Sequence, residues 1–205
     1  LPYFDEFWGS DDTDAKMRLF IQWGELNYFP AMAIAAHVSA ERNHQTGRVT
    51  PIKFRLDVAM TGRLGMELQP SQMSKADFAF AKRGIAAYKQ IRDVVQLGDL
   101  YRLHSPYEGD GVASLMYVSN DKSRAAFFAY NYNYLFNQKI PSVQLGGLDP
   151  NRNYRIKDLT PWDEKRPCRL DGKVISGKTL MEVGLNLRSL INYNDASVAL
   201  ELTEE

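Results

Sequence analysis

Short apolar runs alternate with helical periodicity along the first half of the chain and give way to strand-and-turn texture in the second. Tyr3, Phe4, Phe7 and Trp8 read as a short buried strand. Asp12, Thr13 or Asp14 then offers a side-chain oxygen to the free N–H groups of a helix reaching about Trp23, with Gly24 as its stop. Residues 31–38 are small and apolar and predict a second buried strand; a polar loop follows over 41–48, and Pro51 suits the first turn of a helix to about Met60. Residues 64–68 predict a third strand. Ser74 with Asp77 is a capping-box pattern, and Phe78, Ala81, Ile85, Tyr88, Ile91 and Val95 keep the helical period until Gly98. Buried strands alternating with helices imply a parallel sheet with helices outside it. Three such units leave a parallel edge open, so the pattern predicts a piece of a closed barrel.

Beyond residue 98 the runs over 111–119 and 124–134, joined by Asn120, Asp121, Lys122 and Ser123, predict a hairpin. Asp149-Pro150-Asn151-Arg152 is a turn before a strand over 154–159, and Asp171-Gly172 marks another turn. Residues 180–185 read as a strand broken by Gly184, and 198–202 as a last strand. Several short strands between turns argue for an antiparallel sandwich. The expected division is an α/β unit over 1–97 and an all-β unit over 98–205.

Composition narrows the partners. At 205 residues and 44% apolar, the chain can bury a proper core. Its 25 basic and 25 acidic residues cancel and no region is strongly basic, which disfavours nucleic acid. No apolar run is long enough to span a membrane. One cysteine, Cys168, allows no intrachain disulfide, and with three scattered histidines it makes a structural zinc site improbable; no cofactor or metal is expected. Leu1 has no Met before it and no signal-peptide pattern after it, so the chain is expected to be a piece of a longer protein whose compartment this N-terminus does not reveal.

Chemistry concentrates in Trp8-Gly9-Ser10-Asp11-Asp12-Thr13-Asp14, a cluster of three carboxylates between an expected strand and an expected helix. Capping with favourable dipole charge is the commoner meaning of such a cluster. The alternative is a catalytic carboxyl at a strand end, with Trp8 desolvating it as a general acid requires and offering a face to a sugar ring. Residues 172–179 fit the phosphate-loop pattern G-x-x-x-x-G-K-[ST], but the flanks are not those of a buried strand and a helix, so a chance match is expected. His37 and His44 are candidates for catalysis, though a lone histidine is more often structural; His104 is read as structural. Tyr130, Tyr132 and Tyr134 share one face of an expected strand, open to carbohydrate binding or to packing. Cys168 has no activating partner in sequence.

Residues 8–14 resemble the W-x-S-D-[DN]-T-D motif of family 36 glycoside hydrolases, the bacterial α-galactosidases. Further stretches agree in order: Ala36-His37-Val38-Ser39 with Asn43-His44-Gln45-Thr46-Gly47-Arg48, then 54–65 through Asp57-Val58-Ala59-Met60, then Arg92-Asp93-Val94-Val95 leading into Gly98-Asp99-Leu100-Tyr101-Arg102. The resemblance implies strands six to eight of a (β/α)8 barrel followed by an antiparallel β-sandwich. It makes Asp11 the general acid/base, with Trp8 as a substrate contact, of a retaining enzyme acting on galactosyl oligosaccharides. The family's K-W-D-x-N nucleophile motif and C-x-x-G-G loop do not occur in this chain, so the chain alone is expected to be inactive. Gly9, Asp5-Glu6 and Ala35 stand where Thr, Pro-Gln and Gly are common. A homo-oligomeric parent in bacterial cytoplasm or periplasm is a further implication. The alternatives are a non-catalytic carbohydrate-binding or structural module, and α-N-acetylgalactosaminidase activity in the parent.

Overall fold

The computed structural model describes residues 4–205, and divides into two compact units between Leu97 and Gly98. In the first unit, two short strands run parallel: β1 (Ala35–Ser39) and β2 (Arg63–Glu67), with His37 opposite Gly65. A third strand position is a single parallel bridge, Phe7 to Ile34, closed by Phe7 N–H to the Ala33 carbonyl at 2.9 Å and Ala35 N–H to the Phe7 carbonyl at 3.1 Å. Helix α1 (Ala15–Glu25) links the bridge to β1, and α2 (Ile52–Ala59) links β1 to β2. Helix α3 (Lys75–Leu97) follows β2. All three strand positions point the same way, so the segments leaving their C-terminal ends share one edge.

Several elements differ from expectation. Tyr3 lies outside the described residues, Phe4 is 71% exposed, and the first strand shrinks to the bridge at Phe7. The run over 31–38 opens with a 3-10 turn, Ala31–Ala33, before extending. Helix α1 passes Gly24 to Glu25 because the two further residues bury Leu26, whose N–H reaches the Gln22 carbonyl; that outweighs the roughly 1 kcal/mol helix penalty of glycine. Ser74 does begin α3 as expected, its hydroxyl accepting from Asp77 N–H at 3.0 Å. That helix buries Phe80, Ala81, Gly84, Ala87, Tyr88, Ile91, Val94 and Val95.

The second unit is built on a six-stranded antiparallel sheet. Its strands are β3 (Asp99–His104), β4 (Val112–Val118), β5 (Arg124–Asn131), β7 (Asn153–Asp158), β8 (Val174–Ser176) and β10 (Ala196–Glu204), in the order β3-β4-β5-β10-β7-β8. The hairpin β4–β5 forms as the turn residues foretold, and β7 alternates exposed and buried positions as a half-buried strand does. The opposing layer is no full second sheet. It consists of a two-stranded ribbon, β6 (Ser142–Val143) with β9 (Leu185–Asn186), and helix α4 (Gly177–Glu182). Val143, Leu145, Leu148, Leu180, Leu185, Leu187 and Ile191 carry that layer onto Met116, Phe127, Ile156, Val198 and Leu200 of the sheet. Residues 180–185 are thus helix before they are strand. Ser176 caps α4 by accepting from Thr179 N–H at 3.1 Å, Leu180 is fully buried, and Gly184 reverses the chain at φ +79°.

Candidate active site

The three carboxylates of 11–14 divide their labour. Asp14 is the cap of α1: its Oδ1 accepts from Lys16 N–H at 2.9 Å. Asp12 closes the preceding turn, accepting from Asp14 N–H at 2.9 Å. Asp11 caps nothing. Its Oδ1 accepts from the Trp8 indole N–H at 3.1 Å, and the residue is exposed. The capping explanation therefore accounts for Asp12 and Asp14 and leaves Asp11 over. The indole turns its N–H edge to Asp11, so its contribution here is a hydrogen bond and not the desolvation expected from sequence.

Asp14 holds more than the helix. Its Oδ2 accepts from Thr46 Oγ1 at 2.6 Å and from Arg48 Nη1, both in the loop after β1. Asn43 in the same loop donates from Nδ2 to Thr13 Oγ1 at 3.0 Å, and Ser39 Oγ donates to the Thr13 carbonyl at 2.9 Å. Burial alone would raise the Asp14 carboxyl, but the hydrogen bonds from Thr46, Arg48 and Lys16 and the Arg48 charge outweigh it and hold the group below 3.8. Sequence reasoning found the 43–48 stretch as a motif but not its partners.

Behind Trp8 stands Arg18, 1% exposed, with its Cζ 4.6 Å from the indole centroid. Its Nη2 donates to the Ala35 carbonyl at 3.1 Å and its Nη1 to the Ser10 carbonyl at 3.3 Å. Glu25 lies 3.8 Å from Arg18 Nη2; burial raises its carboxyl, and the Arg18 charge opposes that. Gly9 makes room for it, since a Cβ there would stand 1.4 Å from Glu25 Oε1. The Gly for Thr departure at position 9 thus has a local reason in Glu25.

Of the remaining candidates only His37 reaches this cluster. His37 lies against Trp8, with ring centroids 4.5 Å apart at 26°; His44 is exposed; His104 Nε2 pairs with Asp110 Oδ2 at 2.8 Å. Tyr130 is buried at 1% exposure and the Tyr132 hydroxyl donates to the Pro106 carbonyl at 2.8 Å, so these side chains do not form an open aromatic platform. The 172–179 stretch does place a strand before a helix, β8 before α4, yet its amides are engaged: Gly172 N–H to the Ile156 carbonyl, Lys173 N–H to Leu170 and Gly177 N–H to Arg152. Residues 174–176 are paired to β7, which leaves no phosphate cradle. No group of three or more His, Cys, Asp or Glu side chains placed to hold a metal ion occurs among the described residues, and none of their helices is long and apolar enough to cross a membrane.

Burial first, and then the charge of Asp158, push the Cys168 thiol up to about 11. At pH 8 the thiol is therefore protonated in the folded chain. Maleimide labelling at that pH is expected to be slow in buffer and fast in concentrated urea; equal rates would show the thiol to be open and activated.

Comparison with known proteins identifies the family. The model of the Melibiase family matches residues 1–98, and that of the glycosyl hydrolase family 36 C-terminal domain matches residues 112–200. A probable alpha-galactosidase G of Aspergillus terreus is 38% identical over 202 residues, 98% of this chain and 26% of that protein. Alpha-galactosidase AgaA of Geobacillus stearothermophilus is 42% identical over 159 residues, 78% of this chain and 22% of that protein. The crystal structure of an AgaA variant in complex with raffinose superimposes with a TM-score of 0.81 at 36% identity, covering 96% of this chain and 25% of that one. The chain spans about a quarter of the length of the curated relatives it matches. With both family models in chain order and relatives matched over nearly its whole length, this chain belongs to glycoside hydrolase family 36.

Proposed function

We propose that the chain is the acid/base-bearing part of a retaining α-galactosidase that removes terminal α-linked galactose from oligosaccharides. Residues 1–97 supply the last three βα units of a (β/α)8 barrel, and 98–205 the C-terminal antiparallel domain. The observation that carries the reading is the Trp8–Asp11 hydrogen bond of 3.1 Å, on the one carboxylate of its cluster that serves neither the helix nor the turn before it. Its position, just past a strand and before a helix, is where barrel enzymes keep catalytic groups. The AgaA complexes with raffinose and with stachyose support galactosyl oligosaccharides as the substrate class.

In this mechanism Asp11 protonates the glycosidic oxygen while a second carboxylate attacks the anomeric carbon. Asp11 then takes a proton from the water that releases galactose. Trp8 borders the substrate beside it. The attacking carboxylate belongs to a K-W-D-x-N motif that this chain does not contain. The full-length enzyme is expected to release galactose from raffinose with retention, and the 205-residue chain alone to give no turnover of raffinose or an aryl α-galactoside. Turnover by the chain alone would overturn the division of the two carboxyls. A full-length enzyme that cleaves α-N-acetylgalactosaminides and ignores α-galactosides would overturn the substrate.

A further inference from the structure

Asp11 is exposed and lies in a segment without regular secondary structure, joined to its surroundings through one indole N–H. A carboxyl so placed rotates freely unless the indole itself is fixed, and proton transfer to a leaving oxygen tolerates little misalignment. The orientation of Trp8 is therefore part of the mechanism. We infer that His37 is a positioning residue for the proton donor, acting through Trp8, with Gly65 making its seat. This rests on the reading of Asp11 as the acid/base.

His37 sits at the middle of β1, where backbone pairing to β2 is regular on both sides. Its ring lies nearly parallel to the indole, 26° apart with centroids at 4.5 Å. Gly65 is its cross-strand partner, and a Cβ there would stand 2.3 Å from His37 Cδ2 and 2.7 Å from Nε2. Only a residue without a side chain lets the imidazole occupy that position over β2. The Glu67 carboxylate, two residues further along β2, lies 3.6 Å from His37 Nδ1 at the other edge of the ring. Arg18, fixed by the Ala35 and Ser10 carbonyls, holds the indole as well. The strand pair thus transmits its geometry through an imidazole and an indole to a carboxyl that has no other anchor among the described residues.

The test uses the full-length enzyme with His37→Ala, His37→Phe and Asp11→Ala, each on raffinose and on a dinitrophenyl α-galactoside, whose leaving group needs almost no proton. His37→Ala is expected to lower kcat/KM on raffinose about 10- to 100-fold while changing the activated substrate by less than about 3-fold. His37→Phe, which keeps a flat ring against the indole, is expected to recover most of the loss. Should His37→Ala not fold, His37→Gln carries the same comparison. Equal losses on both substrates, or none, overturn the inference. If Asp11→Ala shows the substrate split and the His37 variants do not, the role of His37 alone falls; if Asp11→Ala shows no split, the acid/base reading falls first.

Discussion

Asp11→Ala in the full-length enzyme is expected to lower kcat/KM on raffinose by about 10²- to 10⁴-fold, the usual span for a general acid. The sucrose oxygen is a poor leaving group and must be protonated as the bond breaks. A dinitrophenyl α-galactoside departs unaided, so its kcat/KM is expected to survive within about 10-fold. Its kcat is expected to fall all the same, because Asp11 also activates water in the second step. Added azide, a nucleophile that needs no base, should then restore kcat and yield α-galactosyl azide. Measuring both substrates with and without azide separates the two duties of one carboxyl. Wild-type activity of the variant on raffinose would return Asp11 to the status of a surface residue. The nearby Asp12 and Asp14 make the control informative, since neither bonds the indole: Asp12 accepts from a turn amide, and Asp14 from a helix amide, Thr46 and Arg48.

Asp14→Ala is expected to destabilise the fold by about 3–4 kcal/mol at pH 7. The lost helix cap accounts for about 1 kcal/mol, and the lost charge-assisted bonds from Thr46 and Arg48 for about 2–3 kcal/mol. The Asp14 side chain is fully buried, whereas Arg48 is 38% exposed and can turn to water when its partner is gone, which keeps the figure below that of a fully buried pair. The effect also depends on pH. The folded carboxyl titrates below its unfolded value of 3.8, so its stabilisation is complete above that value and is lost as the pH falls through the folded one. Thermal midpoints of wild type and variant should differ widely at pH 7 and draw together as the pH falls below 3.8. A gap that stays constant over that range would detach Asp14 from acid stability.

Local chemistry made some of this legible and long-range contact hid the rest. The start of α3 was readable because Ser74 and Asp77 sit three apart and the apolar period runs on for five turns beyond them. The Trp8–Asp11 pairing was readable because the two are three residues apart, though not the edge-on geometry of the indole. The partners of Asp14 lie 32 and 34 residues away, and no local pattern in 11–14 announces Thr46 or Arg48. Arg18 was passed over because an arginine on a helix is ordinarily solvated; here carbonyls of two other segments take its hydrogen bonds. Helix α4 was misread because its six residues hold only Leu180 and Met181 as apolar positions, too few to show a helical period, and the capping by Ser176 decides the matter.

The strand order of the second unit also has a consequence for how the protein is made. β10 follows every other strand of its sheet along the chain, yet it lies between β5 and β7. A nascent chain on the ribosome therefore holds two half-sheets, β3-β4-β5 and β7-β8, that have no ladder between them until residues 196–204 emerge. The insertion of that one segment satisfies both waiting edges together. Folding of this unit accordingly waits on that segment, and until it is in place the open strand edges are the surface a chaperone would recognise.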